Sequence, residues 1–177
     1  QLRGFTRDVS RTMGGNVDRL DTETFPKIRD ATGQRLANFA NQSGIQADRQ
    51  ITQDLGAVAL NIQQSSDLRP GVRQSAASMV QRIATLLGQG GITGQSYREL
   101  TGHGSELSSF MKSDNPLLRQ TAIQLRTALD DGLERSSPAG ARQGIQEARR
   151  QYKISVALEP LVEQADATSG LLDPTKL

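Results

Sequence analysis

The sequence predicts an all-α protein: about seven helices in an antiparallel bundle or an irregular helical array, with no sheet. Three observations predict it. Apolar residues recur at spacings of three and four through most of the chain, and no segment alternates with period two for more than a few residues. Clusters of Gly, Pro and Ser punctuate the periodic stretches. No internal repeat is visible, which argues against a regular solenoid.

Each element has its own signal. Phe5, Val9 and Met13 mark a short helix that stops at Gly14-Gly15. Phe25, Ile28, Thr32, Leu36 and Phe39 form a second stripe, with Thr24 as candidate N-cap, Pro26 in the first turn and Asn41-Gln42-Ser43-Gly44 as the close. Ile51, Leu55, Val58 and Ile62 give a third helix from about Ala47 to Gln64, in which Gly56 costs about 1 kcal/mol relative to Ala. Ser65 to Gly71 combines Ser, Pro and Gly and reads as a seam between an N-terminal and a C-terminal lobe.

Val72, Ala76, Met79, Val80, Ile83, Leu86 and Leu87 then give a fourth helix, whose broad apolar face suits a central position. Gly88-Gln89-Gly90-Gly91 ends it. A short helix capped by Thr93 or Ser96 runs to Leu100, Gly102-His103-Gly104-Ser105 interrupts, and Leu107, Phe110 and Met111 add one turn or two. Asp114-Asn115-Pro116 is a cap followed by a first-turn proline. It starts a helix carrying Leu118, Ala122, Leu125, Leu129 and Leu133 to about Arg135. After Ser136-Ser137-Pro138, the residues Ala141, Ile145, Ala148, Tyr152, Ser155 or Val156, Glu159 and Val162 continue at helical spacing. Pro160 is expected to kink this last helix near Val156, because it removes a backbone donor.

At 177 residues the chain fits a single helical domain, residues 1–177. Hydrophobic residues are 35% and aromatics 3%, so the core is thin and built from Leu, Ile, Val and Ala. The absence of Cys excludes disulfides, Cys-ligated zinc, iron–sulfur clusters and thiol nucleophiles, and a lone His excludes a two-His metal site. No catalytic, cofactor-binding or metal-binding set is therefore expected. Net charge is only +2, and the basic residues are 17 Arg against 4 Lys. Arginine favours planar pairing, and the bias reads as ion pairing with carboxylates at surfaces and interfaces rather than as phosphate contact. No apolar stretch approaches the roughly 20 residues of a membrane span. A start at Gln1 and an ending of Ser169 to Leu177, which resembles a turn leading onward, make the chain read as an excerpt of a longer polypeptide.

Five places could carry chemistry. His103, between two glycines, has the mobility of a base but no nucleophile at a useful spacing, so it reads as a turn histidine. Glu106 could be the acid of a lysozyme-like transglycosylase, which requires a buried pocket that raises its pKa, and the aromatic-rich sugar groove is missing. Asp130, Asp131 and Glu134 cluster on one helix and read as a solvated face salt-bridged to Arg126 and Arg135 at helical spacing. The stretch Gly88 to Gly94 lacks the strand and the Lys of a phosphate loop, and reads as a flexible connector. Arg142, Arg149, Arg150 and Lys153 on the last helix could contact nucleic acid, with Glu147 and Glu159 partly offsetting them and no interleaved aromatics for stacking.

The succession Gly91-Ile92-Thr93-Gly94-Gln95-Ser96-Tyr97-Arg98-Glu99-Leu100, then Asn115 to Arg119, Ala128 to Ser136, Glu147 to Lys153 and Gly170 to Pro174 resembles a helical segment of large virion-associated proteins of tailed bacteriophages and prophages. The stretches from Phe5 to Arg7 and from Asp18 to Leu20 fit the same pattern. The resemblance implies a packaged building block of the internal virion or DNA-ejection type, located in the phage particle and in the host cytoplasm before assembly. Its partners would be other copies of itself and other virion proteins, with weak DNA contact as an addition. The expectation is thus a non-enzymatic structural module acting by helix-mediated assembly. The alternatives are a peptidoglycan-hydrolysing helical domain with Glu106 as acid, and a DNA-binding module using the basic C-terminal helix.

Overall fold

A computed structural model describes residues 2–66 and 68–163. Those residues form eight helices: α1 (Leu2–Thr12), α2 (Thr24–Ser43), α3 (Arg49–Gln64), α4 (Pro70–Gly88), α5 (Gly94–Thr101), α6 (Glu106–Met111), α7 (Pro116–Ser136) and α8 (Ala139–Glu163). The fold is all-α. The helix beyond the expected seven is α6, the turn or two around Leu107. Among the described residues the only extended pairing is an isolated antiparallel bridge between Ile45 and Ile92. None of their helices is long and apolar enough to cross a membrane.

Most helix boundaries follow from local chemistry. Asp48 caps α3 by accepting from Ile51 N, and Thr93 caps α5 by accepting from Ser96 N. Asn115 caps α7 by accepting from Leu117 N and Leu118 N, with Pro116 behind it. The start of α2 differs from expectation. Its cap is Asp21, whose Oδ1 accepts from Thr24 N at 2.8 Å while Thr24 Oγ1 accepts from Asp21 N at 3.0 Å, a reciprocal box in place of a Thr24 cap. Helix α8 continues through Pro160 to Glu163.

The described residues divide into two compact units, one comprising residues 2–36 and 143–163 and the other residues 37–66 and 68–142. The expected seam at Ser65 to Gly71 is therefore displaced. That turn lies within the second unit, where α3 and α4 pack on one another and Leu68 is buried beneath the connection. Polar composition marked the turn, but the apolar faces of the two flanking helices need each other, and burial decides the boundary.

In the first unit, Met13, Leu20, Phe25, Ile28 and Val162 form the core, flanked by Phe5, Val9, Val17, Ile154, Leu158 and Leu161. Arg29 is buried there and donates to Glu159 at 2.8 Å, so the charge within the apolar stripe of α8 answers a charge on α2. In the second unit, α3, α4 and α7 pack together, and α6 joins α7. The α3 stripe of Ile51, Leu55, Val58 and Ile62 faces the α7 stripe of Leu118, Ala122, Leu125, Leu129 and Leu133, all buried. Asp48 meets Arg135 and Ile51 meets Gly132, so α3 and α7 run antiparallel. Helix α4 buries Ala76, Met79, Val80, Ile83 and Leu87, but it packs mainly on α3, and the helix shared by α3, α4 and α6 is α7 rather than the expected α4.

The glycine-rich stretch before α5 is pinned rather than free, contrary to its reading as a flexible connector. Ile45 N donates to Ile92 O and Ile92 N to Ile45 O, both at 2.9 Å, and Gln46 N donates to Ser136 Oγ at 3.0 Å. Gly91 has φ +109 and lies so close to the bridge that a Cβ there would meet Ile45 O at 2.7 Å. The glycine run is needed for this close backbone approach.

Candidate functional site

The most concentrated polar chemistry among the described residues is internal. Helix α7 offers Arg126 and Asp130 one turn apart, each 5% exposed, and α5 lays Tyr97, fully buried, over them. Arg126 Nε donates to Asp130 Oδ1 at 3.0 Å and Oδ2 at 3.2 Å, and Tyr97 Oη donates to Asp130 Oδ1 at 2.7 Å. The other arms of the guanidinium reach the carbonyl of Thr101 and Tyr97 Oη, each at 3.2 Å. Arg126 Cζ stands 5.6 Å from the Tyr97 ring centroid, within cation–π range. Thr101 Oγ1 in turn donates to the Tyr97 carbonyl at 2.7 Å. These bonds tie the last turn of α5 to the middle of α7 and place a cation at the negative end of α5.

This overturns the reading of Asp130 as part of a solvated face. Asp130 does lie beside Arg126, one turn away, but the two form an ion pair buried beneath Tyr97. Arg135 likewise turns away from the expected partner Asp131 in its closest pairing, to Asp48 on α3: Nε donates to Oδ2 at 2.7 Å and an η-nitrogen to Oδ1 at 3.1 Å. Asp48 is thus both cap and ion-pair partner. The Arg135 guanidinium, then the Ile51 N–H, hold its carboxyl below the usual carboxylate range against the opposing effect of burial. No group of three or more His, Asp or Glu among the described residues could hold a metal ion.

The remaining candidates are exposed or spent. His103 is an exposed turn residue. Glu106 is exposed at the first position of the six-residue α6, so the buried carboxyl that the transglycosylase reading demands is not at this position. Of the four basic residues, Arg142 belongs to the second unit and donates to the Ser137 carbonyl at 3.3 Å, while Arg149, Arg150 and Lys153 belong to the first. Arg150 forks onto Glu147, at 3.0 Å from Nε and 2.9 Å from an η-nitrogen, and this hydrogen bond depresses the Glu147 carboxyl. Lys153 is exposed on the next turn.

Two open clefts lie on the units. In the first unit, Arg7, Arg11, Asn16, Asp18, Arg19, Asp21 and Thr24 are among the residues around about 560 Å³. Its charges answer one another: Arg7 forks onto Asp18, hydrogen bonding that depresses the Asp18 carboxyl, and Arg11 pairs with Asp8. The second cleft, about 310 Å³, is lined by Asp131, Glu134, Arg135 and Arg142.

Sequence reasoning missed Tyr97 and the burial of Arg126 and Asp130. The available signal was their register: 126 and 130 fall within a turn of the apolar positions 122, 125, 129 and 133, so both border the buried stripe. No protein-family model, curated protein or solved structure matches this chain.

The double duty of Asp48 sets a pH dependence. Its carboxyl is depressed in the folded state, so the unfolded chain binds the proton first as pH falls. The stabilisation is complete above the unfolded value near 4 and is lost as pH drops through the lower folded value. Asp48→Ala is expected to cost about 1–2 kcal/mol near neutral pH and to flatten the acid limb of urea stability. Asp48→Asn, which keeps the cap, is expected to cost only about 0.5 kcal/mol, since the ion pair is a third exposed. Equal losses for the two variants would show that the cap carries nothing.

Proposed function

We propose that the chain is a non-enzymatic structural module of a phage virion protein, of the internal virion or DNA-ejection type, which works by helix-mediated assembly. It assembles with copies of itself and with other virion proteins, in the host cytoplasm first and then in the particle. The observation that supports this reading best is where the arginines go. Arg7, Arg29, Arg126, Arg135 and Arg150 each engage a carboxylate, and in four of these five pairs the partners are not helical neighbours of each other or are buried together. An arginine-rich set spent on carboxylates suits protein–protein packing better than phosphate binding. The sequence resemblance supplies the virion context.

Sedimentation of the purified chain over a wide concentration range tests the assembly. Self-association, together with detection of the chain in purified phage particles, is the expected result. A strictly monomeric species at the highest concentration, or absence from particles, overturns it. Titration with duplex DNA at two salt concentrations separates the nucleic-acid reading, because affinity through Arg142, Arg149, Arg150 and Lys153 would fall steeply with salt.

A further inference from the structure

We propose that α5 is a hinged flap over the Arg126–Asp130 pair, anchored at its N-terminal end and releasable at its C-terminal end. The two ends of α5 are built differently. At the start, the Ile45–Ile92 bridge holds the incoming chain, Thr93 caps the helix, and Gly94 is packed against Ala37 O and Asn41. At the other end, Gly102 and Gly104 bracket His103, with Gly104 at φ +81 and open space around the position of its missing Cβ. A helix of eight residues is not stable by itself, so docking holds α5 in place.

What lies under its free end makes that docking weaker than shape alone would give. Arg126 and Asp130 stand one turn apart on the same helix, so lifting α5 does not by itself move one away from the other. Closing the flap strips water from both charges and returns Tyr97 Oη, the Thr101 carbonyl and a ring face in exchange. Lifting it restores the water without separating the charges. Desolvation of an ion pair can exceed what its contacts return, and a well-packed apolar replacement is often neutral or more stable. A short helix closed over a self-sufficient ion pair is therefore poised to open locally, while α6, beyond the glycine joint, stays packed on α7.

Native-state amide exchange in low urea tests this on the intact chain. The amide of Gly102 at the C-terminal end of α5, bonded to Arg98 O, is expected to exchange at least about 100-fold faster than those of Leu125 and Leu129, with a urea slope well below that of global unfolding. Equal protection, or the global slope, overturns the flap. In the variant Arg126→Met, Asp130→Leu and Tyr97→Phe, protection in α5 is expected to rise about tenfold or more relative to the Leu125 and Leu129 amides. Unchanged or lower relative protection overturns the role of the ion pair. If this variant does not fold, the wild-type slope decides.

Discussion

Asp130→Ala is expected to lower the unfolding free energy by about 3–5 kcal/mol, because it removes the carboxylate that pairs with the buried Arg126 guanidinium. Arg126 is 5% exposed, and Tyr97 Oη and the Thr101 carbonyl, which also accept from it, are neutral and do not replace the carboxylate. Tyr97→Phe removes the hydrogen bond to the same carboxylate and the one accepted from Arg126 but keeps the packing, so its expected cost is about 1–2 kcal/mol. The two losses should not add, since both act on one carboxylate. Urea unfolding followed by far-ultraviolet circular dichroism measures the two single variants and their double mutant. In Asp130→Ala the amides of α5 should lose protection before those of α7, because lifting α5 is the way Arg126 regains water. A loss below about 1 kcal/mol for Asp130→Ala would mean that the guanidinium is already hydrated in the folded protein.

Periodicity revealed the helices because each buries one stripe, and a stripe is written in the spacing of Leu, Ile, Val and Ala. The caps at Thr93 and Asn115 were readable for the same local reason: a side chain and a backbone N–H two or three residues apart. Asp21 was passed over for Thr24, although the two act together, because the turn of Thr22 and Glu23 hides a box whose members reciprocate. Tertiary partners were less legible. Nothing local to Arg135 says that it will choose Asp48, 87 positions away, over Asp131 one turn away. Nor does Tyr97 announce that its hydroxyl will sit on Asp130, since a lone tyrosine on a short helix fits a core position equally well. The division of the chain was hidden for a related reason. The first unit is assembled from both ends of the sequence, and composition at the 65–71 turn reports local polarity, not which faces pack.

The approach of α5 to the end of α2 gives the second large expected effect. Gly94→Ala is expected to destabilise the second unit by about 3 kcal/mol, at the upper end of the usual cost of overpacking. A Cβ on Gly94 would stand 2.1 Å from Asn41 Oδ1 and 2.5 Å from the backbone oxygen of Ala37. The Asn41 side chain can rotate away, but the Ala37 carbonyl is fixed by the helix it belongs to, so α5 itself must shift. That shift pulls on Thr93 and on the Ile45–Ile92 bridge beside it, and it carries Tyr97 off Asp130. Gly132→Ala should cost less, about 1–2 kcal/mol, because its Cβ would meet side-chain methyls, Ile45 Cγ2 and Ile51 Cδ1 at 2.9 Å, rather than backbone, and alanine returns part of the loss through helix propensity. Gly56→Ala is the control. It lies within α3, with nothing within 4 Å of the new methyl, and is expected to stabilise the protein by about 0.5–1 kcal/mol. Thermal unfolding of the three variants should therefore rank Gly56→Ala above wild type, Gly132→Ala below it and Gly94→Ala lowest. A neutral Gly94→Ala would show that α5 is free to move away from α2 at little cost, and that the bridge rather than Gly94 anchors the flap.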